Sequence, residues 1–186
     1  PQQMAAVKFI DGPLLVLAGA GSGKTSVITQ KIAYLIEKCG YAAHHVCAVT
    51  FTNKAANEMR SRAMSILDVK SRRGLKIATF HTLGLRILKQ DTMRSGLKKG
   101  FSIFDSEDAS QLLRNLLPAA YASDRNYILN VQQHISQWKN ELLTPEQVLT
   151  QSMDAELAVL YLRYQQCLDA YNAVDFDDLI RLPVYL

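Results

Sequence analysis

The sequence lacks several features that would place the chain outside the ordinary globular proteins. No run approaches the roughly 20 apolar residues of a membrane-spanning helix, and the first residues do not have the pattern of a secretory signal. The three cysteines, Cys39, Cys47 and Cys167, share no Cys-x-x-Cys spacing, which suits a reducing compartment and provides no metal site. Internal repeats and low-complexity tracts are also absent. These absences predict a cytoplasmic protein with no membrane partner.

Composition and charge indicate what kind of globular protein this is. Of the 186 residues, 48% are hydrophobic and 20% are charged, which fits a packed core beneath a polar surface. The net charge of +4 is unevenly spread, because residues 1–84 carry eleven Lys or Arg against four acids. This excess predicts a polyanionic partner for the first part of the chain, although about half of such asymmetries are only solvated surface. The start at Pro1 and the unmarked end at Leu186 predict a fragment of a longer protein.

The first part of the chain alternates strand and helix patterns. Short apolar runs at 14–17, 46–51 and 75–80 predict three strands, the first of them covered on both faces. Helical spacing predicts a helix after each run, and Thr52 or Asn53 can cap the second of these helices. This β-α-β-α-β order implies right-handed crossovers and a parallel sheet, with ligands at the carboxyl ends of the strands.

From about residue 90 the strand pattern fades and helical patterns continue. Apolar stripes at helical spacing follow Asp105, Asp124 and Asp154, and Thr144 opens a capping box with a proline at the first helical position. Trp138 lies on one of these stripes, which favours core packing over stacking on a base.

The two patterns together predict the domain organisation. We expect an α/β domain over residues 1–84 that is incomplete in this chain. An all-helical inserted subdomain is expected over residues 85–174.

A glycine-rich segment, Ala18-Gly-Ala-Gly-Ser-Gly-Lys-Thr25, fits the phosphate-loop pattern, with Ala18 in place of the first glycine. Its glycines allow turns whose backbone N–H groups converge on phosphate oxygens, and the start of the following helix adds positive potential. Lys24 is expected to reach the β and γ phosphates, and the Thr25 hydroxyl to bind Mg²⁺. An incidental glycine-rich turn is the weaker alternative.

Four motifs follow one another along the chain: Gln3 within Pro1–Val7, AGAGSGKT at 18–25, AVTFTNKAANEM at 48–59 and ATFHTLG at 78–84. In this order they resemble the superfamily 1 DNA helicases of the UvrD/Rep/PcrA type, over the whole chain. The resemblance implies a parallel-sheet RecA-like P-loop motor subdomain (1A), formed by residues 1–84 and 175–186, and a helical inserted subdomain (1B) over residues 85–174. It implies ATP and Mg²⁺ as cofactors. It also implies 3′-to-5′ translocation on single-stranded DNA, unwinding at single/double-strand junctions in replication or repair, and contacts with replication-machinery proteins, by a monomer or a weak DNA-linked dimer.

The nucleotide site implied by the resemblance includes a glutamine. An amide can donate and accept at once, so Gln3 can pair with adenine, which favours ATP; without the resemblance it would be a surface amide. Many relatives carry an arginine against the base directly after the loop threonine, where this sequence has Ser26, a departure that concerns the base contact and leaves phosphate binding unaffected. The predicted nucleotide-binding residues are Gln3, Ala20, Gly21, Ser22, Gly23, Lys24, Thr25 and Ser26.

Two segments, Thr50–Lys54 and Thr79–Thr82, follow strands at the ligand edge of the predicted sheet. The resemblance implies that both bind single-stranded DNA. Phe51 can stack on a base, while Thr52 and Asn53 can bind a phosphate at the helix start. Taken alone, Phe51 is more often a core residue and His81 a hydrogen-bonded structural one. The predicted DNA-binding residues are Phe51, Thr52, Asn53, Lys54, Thr79 and His81. Sequence-independent phosphate attraction is expected from Lys54, Arg60, Arg62, Arg72 and Arg73, several of which are solvated surface.

The acids at 174–179 are not predicted to hold Mg²⁺, because no apolar strand precedes them and Asp175 and Asp178 have capping spacing. The family's Asp-Glu motif and its arginines are absent here and are expected beyond Leu186. The full-length parent is therefore expected to be an ATPase and this chain nearly inert.

Three alternatives stay open: a subunit of an ATP-dependent helicase-nuclease, a P-loop phosphotransferase acting on a small molecule, and a pure binding module.

Overall fold

The computed structural model describes residues 2–186, which divide into two compact units. The first unit ends at Phe80 and the second runs from His81 to Leu186. Within the described range, no helix combines the length and the apolar character needed to cross a membrane. The boundaries expected at residues 84 and 175 for a motor subdomain and its insert remain a prediction.

The first unit is a pair of parallel strands packed with helices. Its elements in chain order are α1 (Gln2–Lys8), α2 (Lys24–Glu37), a 3₁₀ helix (Ala43–His45), β1 (Cys47–Thr50), α3 (Asn53–Ile66) and β2 (Lys76–Thr79). The register of β1 and β2 places Cys47 beside Lys76 and Thr50 beside Thr79. Apolar side chains from both strands and from α2 and α3 form the core: Ile32, Ala33, Ile36, Ala43, Val46, Ala48, Met59, Ala63, Leu67 and Ile77.

Local chemistry explains where these helices begin and end. The Thr52 side chain accepts a hydrogen bond from the Ala55 N–H, 3.1 Å away, and so caps α3 as predicted. After α2, Gly40 takes a φ of +75°, a left-handed conformation that ends helices and that glycine adopts without strain. The N–H of the next residue, Tyr41, then bonds back to the Leu35 carbonyl.

The strand predicted at residues 14–17 is wrong for this structure. The segment forms no ladder, and its side chains are exposed, with Leu15 at 82% and Leu17 at 86%. A strand exists only where a neighbouring strand completes its hydrogen bonds, and among residues 2–186 the sheet that contains β1 and β2 has no third member. Residues 14–17 are therefore an apolar segment, but they do not form hydrogen bonds with a neighbouring strand.

The second unit is mainly helical. Helix α4 (Phe80–Gln90) enters it, and the following elements are β3 (Ser102–Ile103), α5 (Ser106–Leu116), α6 (Ala119–Ala122), α7 (Arg125–Asn140), α8 (Pro145–Gln151), α9 (Ala155–Ala170), β4 (Ala173–Val174) and α10 (Asp178–Val184). The apolar stripes of α5, α7, α8 and α9 meet in one core: Ala109, Leu112, Leu113, Ile128, Val131, Ile135, Val148, Leu157, Ala158, Leu160, Tyr161, Tyr164 and Leu168. Trp138 packs against this core, 5.7 Å from the ring of Tyr161, which confirms the core interpretation.

Two capping boxes begin helices where the sequence indicated them. Asp105 accepts from the Asp108 N–H and the Asp108 side chain accepts from the Asp105 N–H, at the start of α5. Thr144 and Gln147 make the same reciprocal pair at the start of α8. Each box satisfies two backbone donors that a helix start leaves without partners.

The prediction of an all-helical second part needs one correction. Strands β3 and β4 pair in parallel, with Ser102 beside Ala173 and Ile103 beside Val174. Each strand is two residues long, too short for an alternating pattern to emerge from the sequence, and their partners lie about 70 residues apart along the chain. The chain is thus a mixed helix and sheet protein with small parallel sheets.

Candidate nucleotide and DNA site

The phosphate-loop segment has the backbone shape that its glycines allow. Gly21 and Gly23 take φ values of +75° and +84°, which residues with a side chain rarely adopt. Gly23 directly precedes α2, whose first turn has no side-chain cap among the described residues. The backbone N–H groups of that turn are consequently available to an anion, and the helix dipole favours one there.

Lys24 lies folded over this loop. Its Nζ donates to the carbonyl oxygens of Ala18, at 2.9 Å, and Gly19, at 2.7 Å. The Ser22 hydroxyl donates to the same Gly19 carbonyl at 2.7 Å. The ammonium group is therefore held at the loop by bonds to neutral acceptors, which a charged phosphate oxygen can replace.

The next two predicted residues lie in the first turn of α2. The Thr25 side chain is half-buried and that of Ser26 is exposed. The hydroxyl of Thr29, one turn later, donates to the carbonyls of both residues, at 3.1 and 3.0 Å. These two partly buried bonds fix the backbone of the turn and use only the carbonyl groups of Thr25 and Ser26, not their hydroxyls.

Gln3, which stands near the start of the sequence, is brought to the phosphate loop. Its Nε2 donates to the Ser22 carbonyl at 2.8 Å. The same nitrogen lies against Gly23, because a Cβ atom added to this glycine would lie only 3.0 Å from the Gln3 Nε2. Lys31 of α2 donates to the carbonyls of Ala6 and Phe9 and so ties α1 to α2. Gln3 is exposed, as the surface-amide alternative expects, and it also makes this specific contact with the loop.

A cavity of 1010 Å³ opens beside these residues within the first unit. Gln3, Ser22 and Lys24 line its polar side, whereas Ala20, Gly21, Gly23, Thr25 and Ser26 are not part of its lining. The remaining wall is largely apolar: Phe9, Ile10, Leu14, Val16, Leu17, Val27, Ile28, Leu35 and Tyr41. An apolar cleft with a few convergent polar groups is the usual form of a small-molecule site.

The carboxyl ends of β1 and β2 place two phenylalanines side by side. Because Thr50 and Thr79 are register partners, the residues that follow them, Phe51 and Phe80, leave the sheet at neighbouring points. Their ring centroids are 5.6 Å apart, and Phe51 is 87% exposed while Phe80 is 42% exposed. Phe51 is therefore a surface residue, and the core alternative for it is wrong.

The remaining predicted DNA residues of the first unit differ in accessibility. Thr52, Asn53 and Lys54 are exposed at the start of α3, next to Phe51. Thr79 is only 6% exposed, at the end of β2. Phe80 was not among the predicted site residues, although the repeated Thr-Phe after each strand, at 50–51 and 79–80, was a signal that could have found it.

His81 is the first residue of the second unit and is exposed. Its ring contacts Phe176 edge-on, with centroids 5.7 Å apart. Phe176 is 44% exposed and was also missing from the predicted site residues. The sequence feature that could have indicated Phe176 is its position between Asp175 and Asp178, the two acids with capping spacing.

Those acids are engaged with cations of the protein itself. Lys139 Nζ lies 2.7 Å from Asp175 Oδ2 and 3.0 Å from Asp178 Oδ2, and Arg181 binds Asp178 Oδ1 at 2.9 Å. The Asp178 N–H donates to Asp175 Oδ1 at 2.9 Å, as the capping spacing predicted. Among the residues that the structure describes, no group of three or more His, Cys, Asp or Glu side chains is arranged to hold a metal ion.

Three of the arginines considered for phosphate attraction have partners within the first unit. Arg60 donates to the Ile77 carbonyl at 2.5 Å, Arg72 to the Met64 carbonyl at 3.0 Å, and Arg62 pairs with Glu58. Their guanidinium groups stabilise α3 and the loop after it. Lys54, three residues after Phe51 in the sequence, is exposed.

Comparison with known proteins places the chain in a family. A family model described as the UvrD/REP helicase N-terminal domain matches residues 1–186. The chain is 50% identical over 189 residues to ATP-dependent DNA helicase Rep of Escherichia coli (strain K12), an alignment that covers 100% of this chain and 28% of that protein. It is 40% identical over 186 residues to a probable DNA helicase II homolog of Mycoplasma capricolum, covering 96% of this chain and 26% of the relative.

A further relative is ATP-dependent DNA helicase PcrA of Staphylococcus epidermidis, 36% identical over 189 residues, with 100% of this chain and 26% of the relative covered. The chain thus spans little more than a quarter of the length of these relatives. The match from residue 1 to residue 186 confirms the resemblance drawn from the four motifs, and the chain belongs to the UvrD/REP helicase family as its N-terminal domain.

Proposed function

We propose that the chain is the N-terminal, ATP- and single-stranded-DNA-binding part of an ATP-dependent 3′-to-5′ DNA helicase. In the full-length protein, ATP hydrolysis would drive translocation along single-stranded DNA and unwinding of the duplex at a junction. Two features of the first unit support the proposal: Gln3 and Lys24 meet at one cavity, and an aromatic pair stands exposed at the carboxyl ends of the parallel strands. The aromatic pair carries the proposal, because a phosphate loop by itself does not distinguish a helicase from other nucleotide-binding enzymes.

The nucleotide is ATP, bound at the phosphate loop. Phosphate oxygens replace the Ala18 and Gly19 carbonyls as acceptors of Lys24, because a charge-assisted bond is stronger than one to a neutral acceptor. The N–H groups of the glycine turns and of the first turn of α2 complete the phosphate site. Gln3 lies against the same loop and recognises adenine by donating and accepting at once.

The chain offers Thr25 as its residue for Mg²⁺. A hydroxyl oxygen in the first turn of the helix after a phosphate loop is a hard ligand of the kind Mg²⁺ takes, alongside phosphate oxygens and water. Thr25 is half-buried in that turn, and its backbone is held by Thr29. Bound there, Mg²⁺ would neutralise the charge that develops on the phosphates.

The DNA partner is a single strand. Phe51 offers a base almost its whole ring, with Phe80 behind it, and base stacking is tolerant of sequence because every base has a π-face. Thr52, Asn53 and Lys54 follow at the helix start, where backbone N–H groups and a cation suit a phosphate. His81, in the second unit, is a further residue for which we propose a DNA contact.

The DNA assignment is tested in the full-length protein by substituting the exposed ring. Phe51→Ala is expected to weaken oligonucleotide binding by about 1–3 kcal/mol, the usual value for one lost stacking contact. Tyr121→Ala is the control, because Tyr121 is also an exposed aromatic residue paired with a second ring, that of Tyr127 at 4.8 Å. Unchanged affinity of Phe51→Ala, measured by fluorescence anisotropy with the fold intact, would exclude the proposed stacking.

The nucleotide assignment is tested at the loop lysine. Lys24→Ala is expected to abolish DNA-stimulated ATP hydrolysis, because the ammonium group would no longer meet the phosphates. Lys38→Ala, just past the other end of α2, is the control and should keep wild-type turnover. Near-normal hydrolysis by Lys24→Ala would remove the phosphate-loop assignment and reopen the small-molecule phosphotransferase and the binding module as alternatives.

A further inference from the structure

Four charged side chains are buried together in the second unit. Lys139 and Asp178 are 0% exposed, and Asp175 and Arg181 are below 10%. Lys139, on α7, lies between the two carboxylates, while Arg181 of α10 donates to Asp178 through Nε and Nη2 at 3.1 and 2.9 Å. Two cations thus face two anions, and the cluster joins α7 to the start of α10.

The cluster has a further member on α9. The Tyr164 hydroxyl donates to Asp175 Oδ2 at 3.0 Å, and Lys139 Nζ lies 5.3 Å from the centre of the Tyr164 ring. Asp175 therefore takes bonds from Lys139 and Tyr164 on one oxygen and from the Asp178 N–H on the other. Its carboxylate cannot shift without breaking several bonds in a buried environment, where each is costly to lose.

The segment held in this way carries an exposed aromatic ring. Residues 175 and 178 are buried, whereas Phe176 between them points outward and meets the ring of His81. The Phe176 backbone is thus tethered on both sides while its side chain reaches the surface. A one-residue slip of the segment would bring a carboxylate to His81 in place of the ring.

We propose that Lys139 and Tyr164 are positioning residues: by fixing Asp175 they hold Phe176 against His81 and so set the orientation of the His81 ring toward single-stranded DNA. An ionic cluster serves this purpose better than apolar packing, because its bonds have one geometry, whereas apolar side chains tolerate shifts. The inference rests on the proposed role of His81 in DNA binding. It adds that buried residues of α7 and α9 set the orientation of the His81 ring.

Two tyrosines of α9 provide a matched test. Tyr164→Phe removes only the hydroxyl that binds Asp175, and Tyr161→Phe removes an equivalent hydroxyl that donates to the Leu143 carbonyl at 3.1 Å. Both rings are buried in the same core, so both variants should fold, and Tyr164→Phe should lose more stability because its hydroxyl donates to a carboxylate. If Tyr164 only stabilised the core, neither variant would change the His81 ring or its contribution to DNA binding.

The first readout is the NMR signal of the His81 ring in the full-length protein, with labelled histidine and assignment through His81→Gln. An aromatic ring 5.7 Å away, edge-on, shifts these protons through its ring current. We expect Tyr164→Phe and Phe176→Leu to move the His81 signals in the same direction, and Tyr161→Phe to leave them in place. Coincident His81 signals in Tyr164→Phe and wild type would overturn the inference.

The second readout is a double-mutant cycle on oligonucleotide affinity. Tyr164→Phe is expected to weaken binding by about threefold or more, and this loss should vanish in a His81→Gln background, because the two residues then act through one contact. A loss that persists without His81 would show that Tyr164 acts elsewhere and would overturn the inference. If His81→Gln itself leaves affinity unchanged, the proposed DNA role of His81 fails instead, and the two failures are thereby distinguished.

Discussion

The Gln3 side chain both contacts the phosphate loop and lines the cavity beside it. Its Nε2 already bonds the Ser22 carbonyl, so the side chain stabilises the loop as well as facing the cavity in which we place the nucleotide. Removing the amide therefore loses a contact to the protein and, in our proposal, a pair of bonds to adenine. A single side chain connects the start of the sequence to the phosphate loop, 19 residues away.

Gln3→Ala is expected to weaken ATP binding by about 1–3 kcal/mol and to reduce the preference for ATP over GTP, because hydrogen bonds to the base edge are lost. Titration calorimetry with both nucleotides measures this. Gln30→Ala, an exposed glutamine of α2, is the control. A preference for ATP that survives in Gln3→Ala would show that another group reads the base.

Asp177 is a residue whose charge costs stability. Burial raises the pKa of the Asp177 carboxyl, and the neighbouring Asp175 carboxylate raises it further. Since the folded protein then binds this proton more tightly than the unfolded chain, ionised Asp177 opposes folding at neutral pH. The penalty disappears as the pH falls and the carboxyl is protonated in both states.

Asp177→Asn is accordingly expected to stabilise the protein at pH 7 by less than about 1 kcal/mol, since Asp177 is partly exposed and its charge is screened by solvent. The gain should vanish near pH 3. Urea unfolding at both pH values checks this, with Asp169→Asn, an exposed aspartate of the same unit, as the control. Equal destabilisation of Asp177→Asn at both pH values would contradict the assigned cause.

At the scale of elements, the helix starts were the most predictable part of the fold. Thr52, Asp105, Asp124, Thr144 and Asp154 all cap helices, because a capping side chain acts on backbone groups two or three residues away. Strands depended on more distant partners. The runs near β1 and β2 paired with each other, whereas the equally apolar run at 14–17 found no neighbour among the described residues.

The capping box of α8 allows a stability test. Thr144→Ala is expected to lower the free energy of unfolding by about 0.5–2 kcal/mol, because the Gln147 N–H loses its acceptor. Thr150→Ala, in the same helix, removes a hydroxyl that serves no cap and should cost less. Denaturant titration of both variants measures the two losses in free energy of unfolding and shows whether that of Thr144→Ala is larger. Equal losses would mean that the Thr144 cap adds nothing beyond an ordinary exposed hydroxyl.

At the scale of the whole molecule, the chain carries the loop at which we propose that ATP binds, but not the acids and arginines that the motif resemblance assigns to ATP hydrolysis. We propose that residues outside this chain supply them. The chain alone is then expected to bind ATP but to hydrolyse it at least about 10³-fold more slowly than the full-length protein, since a single arginine finger can contribute that factor. Comparison of DNA-stimulated phosphate release by the two proteins tests this. Turnover by the chain at the full-length rate would require a complete catalytic site within residues 1–186.

The sequence by itself determined the features that depend on neighbouring residues: the glycine turns and Lys24 of the phosphate loop, the caps of the helices, the apolar stripes of the core and, through four ordered motifs, the family. Only the tertiary structure decided which distant groups meet. It brought Gln3 to Ser22, set Phe51 beside Phe80 through the register of β1 and β2, and buried Lys139 between Asp175 and Asp178. The physical reason is range. Turns and caps follow from bonds spanning a few residues, whereas strand pairing and buried ion pairs join residues whose separation along the chain leaves no periodic trace.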